Sequence, residues 1–160
     1  MEISFSDYIN DAIRVLIVLD FASNYSSIKL TERKIELYDF FLRFPKTMMV
    51  CDNQFDESHM SFEEYYSFFH WQPDIIRYRQ VINYLIAKGF AVKKMDSNVV
   101  AYRITDQGKS VLEKLDNPYK IRLVQLMTNN AKQLSKLSDK RIEELIQEKS
   151  KMHIKRGNIE

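Results

Sequence analysis

GFAVKKMDSNVVAYRITDQGKSVLEKL, Gly89 to Leu115, is the stretch whose reading decides the fold. In its first half Phe90, Val92 and Lys94 interleave with Ala91, Lys93 and Met95, the period of two of a strand. Asp96-Ser97-Asn98 make a short polar turn, and the run VVAYRI then puts Val100, Tyr102 and Ile104 on one face. Two short alternating runs joined this way predict a β-hairpin. Thr105 stands where a helix N-cap is wanted, ahead of QGKSVLEKL, and Asn117-Pro118 ends that helix. Upstream, Gln72-Pro73 reads as a tight turn with Pro73 in the first position of a helix. That helix continues to Lys88 and closes on Gly89, a left-handed stop.

Outward from this block the pattern is helical. Ile9, Ile13, Leu16, Ile17 and Phe21 mark one face of a first helix, Asp7 to Ala22. Thr31 is a suitable cap for a second, which runs to Phe44 because Pro45 disfavours helix just before it. After Lys34 its polar residues are Glu36, Asp39 and Arg43, which share a stripe of roughly 60°, with Asp39 and Arg43 spaced for an i,i+4 ion pair. Ile35, Leu37, Tyr38, Phe40, Phe41, Leu42 and Phe44 fill the remaining arc. Such a helix is either central to its domain or sandwiched against a partner. Residues 46–60 read as a loop, and Ser61 with Glu64 forms a capping box opening a short helix through Phe69. The tail from Tyr119 to about Lys155 is helical, with a break near Ser138.

Helix, short helix, turn, longer helix, hairpin, helix is the order of a winged helix-turn-helix. The expected architecture is mainly α with a small β-hairpin: a winged-helix domain with N-terminal helices over 1–116 and a helical extension over 117–160.

Bulk properties narrow the function classes. The chain has 160 residues, enough for one domain or one domain with an appendage. Six Gly and Pro together argue against a turn-rich sandwich. No run approaches the ~18 apolar residues of a membrane span, and AIRVLIVLDFA carries Arg14 and Asp20, unlike a signal peptide. One cysteine, Cys51, excludes an internal disulfide. A reduced, cytoplasmic protein is expected. Residues 1–69 hold six Lys/Arg against twelve Asp/Glu, and residues 70–160 hold eighteen against ten, so the chain is polarised.

Catalysis has little to stand on. His59, His70 and His153 are scattered, no metal-ligand spacing or Gly-rich phosphate loop is present, and Cys51 has no His nearby in sequence. The expectation is no enzyme, no cofactor, no metal and no small-molecule substrate. Double-stranded DNA is a candidate partner. On the 73–88 helix, with Ile75, Tyr78, Ile82 and Leu85 as core face, Arg77, Gln80, Tyr84 and Lys88 line another face. Lys93, Lys94 and Arg103 are candidate backbone contacts on the hairpin. Protein partners are the other candidate. Phe62, Tyr65, Tyr66, Phe68, Phe69 and Trp71 exceed what a ten-residue helix buries against one neighbour, and aromatics are enriched at interfaces. Tyr38, Phe41, Phe44, Tyr65, Phe69 and Trp71 are the candidate contacts. They are joined by Ile142, Leu145 and Ile146 on a narrow apolar seam in the tail.

Three blocks, RKIELYDFFLRFP (33–45), YYSFFHWQPDIIRYRQVINYLIAKGF (65–90) and YRITDQGKSVLEKL (102–115), together resemble the middle component of bacterial ABC-three-component systems, which are similar to Lamassu-type anti-phage defence modules. Thr105 and Gly108 stand at the Thr and Gly of the winged-helix exit motif. The resemblance covers roughly residues 10–115. It implies a non-enzymatic winged-helix adaptor that accompanies an SMC/Rad50-like ABC ATPase and an effector, often a nuclease, in a complex sensing foreign DNA. A stand-alone homodimeric winged-helix transcription regulator, dimerising through 119–155, is the alternative.

Overall fold

The computed structural model describes residues 5–48, 67 and 74–157. Helix α1 (Phe5–Ser23) is the axis of the molecule. Its run from Ala12 to Leu19 is buried throughout, as a helix apolar on all sides must be. Helices α2 (Glu32–Arg43), α4 (Ile75–Ala87), α5 (Asp106–Lys114) and α6 (Pro118–Leu134) and one strand of the hairpin pack around it.

Thr31 caps α2, its side chain accepting from the Lys34 N–H at 3.2 Å. Every residue from Ile35 to Leu42 is buried. The helix stops at Arg43, and Pro45 begins a single turn, α3 (Pro45–Met48), where a loop was expected. Proline is at home there because the first N–H of a helix has no intrahelical acceptor. The capping-box helix over 61–69 and Pro73 lie outside the described residues. Helix α4 begins at Ile75, two residues later than expected, because Asp74 caps it and accepts from the Arg77 N–H at 3.1 Å. Tyr78, Val81, Ile82 and Leu85 form its core face. Ile75, expected among them, is 48% exposed because it sits in the first turn, at the margin of that face.

Strands β1 (Ala91–Asp96) and β2 (Val99–Ile104) pair antiparallel, Ala91 opposite Ile104 through Asp96 opposite Val99. Ser97 and Asn98 both have positive φ, 50° and 66°, which makes a two-residue turn matched to strand twist. The Tyr102 N–H donates to the Leu30 carbonyl at 2.9 Å, tying the segment before α2 to the outer edge of β2. Gly89 closes α4 with φ +75°. The Thr105 hydroxyl accepts from the Gly108 N–H at 3.0 Å and donates to the Gly89 carbonyl at 2.6 Å, so one side chain caps α5 and fixes its entry. A Cβ on Gly108 would lie 2.2 Å from the Phe90 carbonyl oxygen, which is why this close approach requires glycine.

Asn117 caps α6 and Ser138 caps α7 (Asp139–Gly157), so the break in the tail falls where expected. The tail is folded back. Leu123, Met127, Leu134, Ile142 and Ile146 join the same buried cluster as α1 and α2, and the residues on either side of 116/117 share one core. Burial of Ile142 and Ile146 contributes about 1.5–3 kcal/mol each. Around this seam Arg33 binds Glu143, Lys34 lies 2.6 Å from Asp139, and the Lys149 ammonium donates to the Met48 carbonyl at 2.6 Å. No described helix is long and apolar enough to cross a membrane.

Candidate interaction site

The polar stripe of α2 faces inward. Asp39 is fully buried, accepts from Arg14 Nε at 2.7 Å, and takes the hydroxyl of Tyr78. The i,i+4 ion pair expected between Asp39 and Arg43 does not form: Arg43 is exposed and lies over the Phe44 ring at 5.3 Å. Arg14 decides this. It sits inside the most apolar helix, and an unpartnered guanidinium there would cost several kcal/mol. It also donates to the Tyr119 hydroxyl at 3.1 Å and pairs with Asp11, which in turn takes Arg77. Side chains of α1, α2, α4 and α6 are thereby joined in one polar junction.

The electrostatics follow. Burial opposes the charge on Arg14, but the Asp39 carboxylate and the hydrogen bonds Arg14 donates to Asp39 and Tyr119 outweigh it and hold Arg14 above its ordinary value. Burial, then the Asp39 charge, pushes the Tyr78 hydroxyl well above its ordinary value, so it stays a donor. Glu36, also buried, is raised by burial although Arg33 Nη1 donates to it at 3.1 Å. Glu32, one turn earlier, goes the other way: burial is outweighed by hydrogen bonds from Arg79 and Tyr102.

Above the junction opens a cleft of about 720 Å³ between the start of α1, the α2–α3 corner, the start of α4 and the first half of α6. Arg14, Arg43, Lys46, Arg77 and Arg122 line it, against two carboxylates, Asp7 and Asp11. Phe44, Leu123 and Leu126 also line it. Sequence reading missed this set, because its five cations come from five helices and no window of sequence contains them. The one available signal was the lone Arg14 in an otherwise apolar run, which demands a partner.

The candidate DNA-contacting residues of α4 lie along one side of the helix, bordered by the start of α1. Arg77 is engaged by Asp11, and the backbone carbonyl of Gln80 accepts from the Tyr8 hydroxyl at 3.1 Å. Tyr84 meets the Tyr8 ring edge-on at 5.8 Å, and the Lys88 ammonium is 5.8 Å from the Tyr84 ring. Lys93, Lys94 and Arg103 are exposed. The register puts Lys94 and Arg103 on one face of the hairpin and Lys93 on the other, with Arg103 3.6 Å from Asp96.

The candidate partner contacts require correction. Tyr38, Phe41, Phe44, Ile142 and Ile146 are buried in the chain's own core, and Leu145 is half-buried. The tail and α2, each read as needing a cover, cover one another. The Tyr38 hydroxyl donates to the Leu134 carbonyl at 3.2 Å and is pushed up to about 12 by burial and the Asp139 charge. Tyr65, Phe69 and Trp71 lie outside the described residues. Among the described residues, no three His, Cys, Asp or Glu side chains converge as a metal would need.

These features define a mainly helical protein with one antiparallel hairpin and a cation-lined cleft over a buried ionic junction. The family model described as ABC-three component (ABC-3C) system Middle Component 2 matches residues 4–156, and the chain belongs to that family. It is therefore a component of an ABC-three component defence system, which implies partner components. No curated protein and no solved structure matches the chain.

Proposed function

We propose that this chain is a winged-helix adaptor of a Lamassu-type anti-phage complex in the cytoplasm, non-enzymatic, docking on an SMC/Rad50-like ABC ATPase and linking it to an effector nuclease. Family membership over nearly the whole chain carries the reading. The winged-helix assignment is supported by the order α1, α2, α4, hairpin, α5 and by the Leu30 contact on the edge of β2, where a third short strand belongs. DNA contact is a subsidiary part of the proposal: Lys93, Lys94 and Arg103 are exposed on the hairpin and suit phosphates. The alternative, a homodimeric regulator, is weakened because the seam meant to dimerise, Ile142 and Ile146, is spent on α2. Co-expression with the products of the neighbouring genes tests the reading. The chain should co-purify with the ATPase through gel filtration, and a monomer that retains neither companion overturns it.

A further inference from the structure

The cleft over the Arg14–Asp39 junction has a chemistry of its own. Arg14 is rigid there, because Asp39, Asp11 and Tyr119 hold its guanidinium from three helices. Arg43 and Arg122 stand on different walls, are exposed, and make no ion pair among the described residues. The site thus pairs fixed internal charge with two solvent-exposed cations. Guanidinium forks match carboxylates and phosphates equally well. The rest of the lining separates the two. Asp7 and Asp11 would repel a uniform polyanion, and the half-buried Leu126 offers a ligand no phosphate contact. A concave space of about 720 Å³ also fits side chains better than a duplex, which is a rod too broad to enter it.

We propose that this cleft is the docking site for an acidic segment of a companion component, with carboxylates reaching Arg43 and Arg122 and an apolar residue between them meeting the half-buried Leu126. This rests on the reading of the chain as an adaptor and names the surface by which it would act. The charges at Arg43 and Arg122 set partner choice and association rate more than total affinity, since both are solvent-exposed. The ordered Arg14 beneath keeps the walls in register.

The test uses the full chain and two probes at one moderate ionic strength. The first is a labelled peptide of about ten residues alternating Glu with Leu, the length of an interface segment. The second is a labelled duplex of about 20 base pairs. The peptide should bind, and Arg43→Glu/Arg122→Glu should weaken it at least about tenfold. Lys132→Glu/Lys140→Glu, equal in charge change and exposed elsewhere on α6 and α7, should leave it unchanged. Arg43→Gln/Arg122→Gln guards against loss of fold and should give a smaller loss in the same direction. Equal losses in the two reversed pairs, or no peptide binding, overturn the site. Duplex binding that exceeds peptide binding and vanishes in Arg43→Glu/Arg122→Glu makes the cleft a nucleic-acid surface and overturns it too. In the co-purified complex, an Arg43→Glu/Arg122→Glu chain that keeps the companion sinks the cleft alone. A wild-type chain that binds the peptide but no companion sinks the adaptor reading alone.

Discussion

Helices α2 and α4 are nearly equal in length, twelve and thirteen residues, and are held in place by different physics. Helix α2 carries its charges into the core. Its Asp39 is invisible to solvent, and the helix is covered by α1, α4, α6 and α7. Helix α4 does the reverse, burying only apolar residues and Tyr78 while leaving Ile76 70% exposed. Arg77 and Tyr78 tie the first turn of α4 to the junction, and backbone fit fixes its far end, where Gly89, Thr105 and Gly108 bring α4, β1 and α5 within touching distance. One helix is anchored by an ion pair that must stay satisfied, the other also by a corner too tight for a methyl group.

Five substitutions or measurements separate these modes. The largest effect belongs to Asp39→Ala, which leaves the buried Arg14 Nε and the Tyr78 hydroxyl without an acceptor and should cost about 3–5 kcal/mol in denaturant unfolding. Arg14→Met with Asp39→Leu should recover the share due to Arg14, since apolar groups of similar volume replace such pairs well, and leave only the Tyr78 hydroxyl without its acceptor. A cost below about 1 kcal/mol for Asp39→Ala would mean Arg14 reaches water, and the contrast would collapse. Gly108→Ala comes next, at about 1–3 kcal/mol, because the obstacle is backbone oxygen that cannot rotate away. If it proves neutral, the α4–β1–α5 corner is looser than its geometry.

Thr105→Ala should cost about 1 kcal/mol by thermal melting, from loss of the cap on α5. The smallest effect is in titration. By carboxyl NMR, Glu32 should titrate below the ordinary glutamate value and Glu36 above it. The signs differ in consequence. The Glu32 contribution is complete above the unfolded carboxyl value and is lost as pH falls through its lowered folded value. Glu36 is penalised by burial while charged, so protonation through its raised folded value relieves that cost as pH falls. Coincident titrations would place both side chains in the same solvent and remove the gradient along α2.

Reading from sequence succeeded where the determinants are local. Thr31, Thr105 and Ser138 cap the helices expected of them, and Gly89 ends α4 in the left-handed region. Each depends on groups within three or four residues. It failed where partners lie far apart. Arg14 meets Asp39 across 25 residues and Tyr119 across 105, and Arg33 meets Glu143 across 110. Periodicity placed Glu36 and Asp39 on one stripe, then paired Asp39 with Arg43 four residues on, where the fold pairs it with Arg14. The i,i+4 rule sees one helix alone, and a buried guanidinium on another offers an alternative.

By itself the sequence determined the elements, their caps, the hairpin and the family signature, because each is encoded in contiguous spacing and in backbone preference at Gly, Pro, Ser and Thr. Tertiary structure alone decided which surfaces are free. It turned the tail seam inward against α2, paired Arg14 with Asp39, and gathered cations from five helices around one cleft. The physical reason is that burial and ion pairing depend on distance through space, which a chain sets only when it folds.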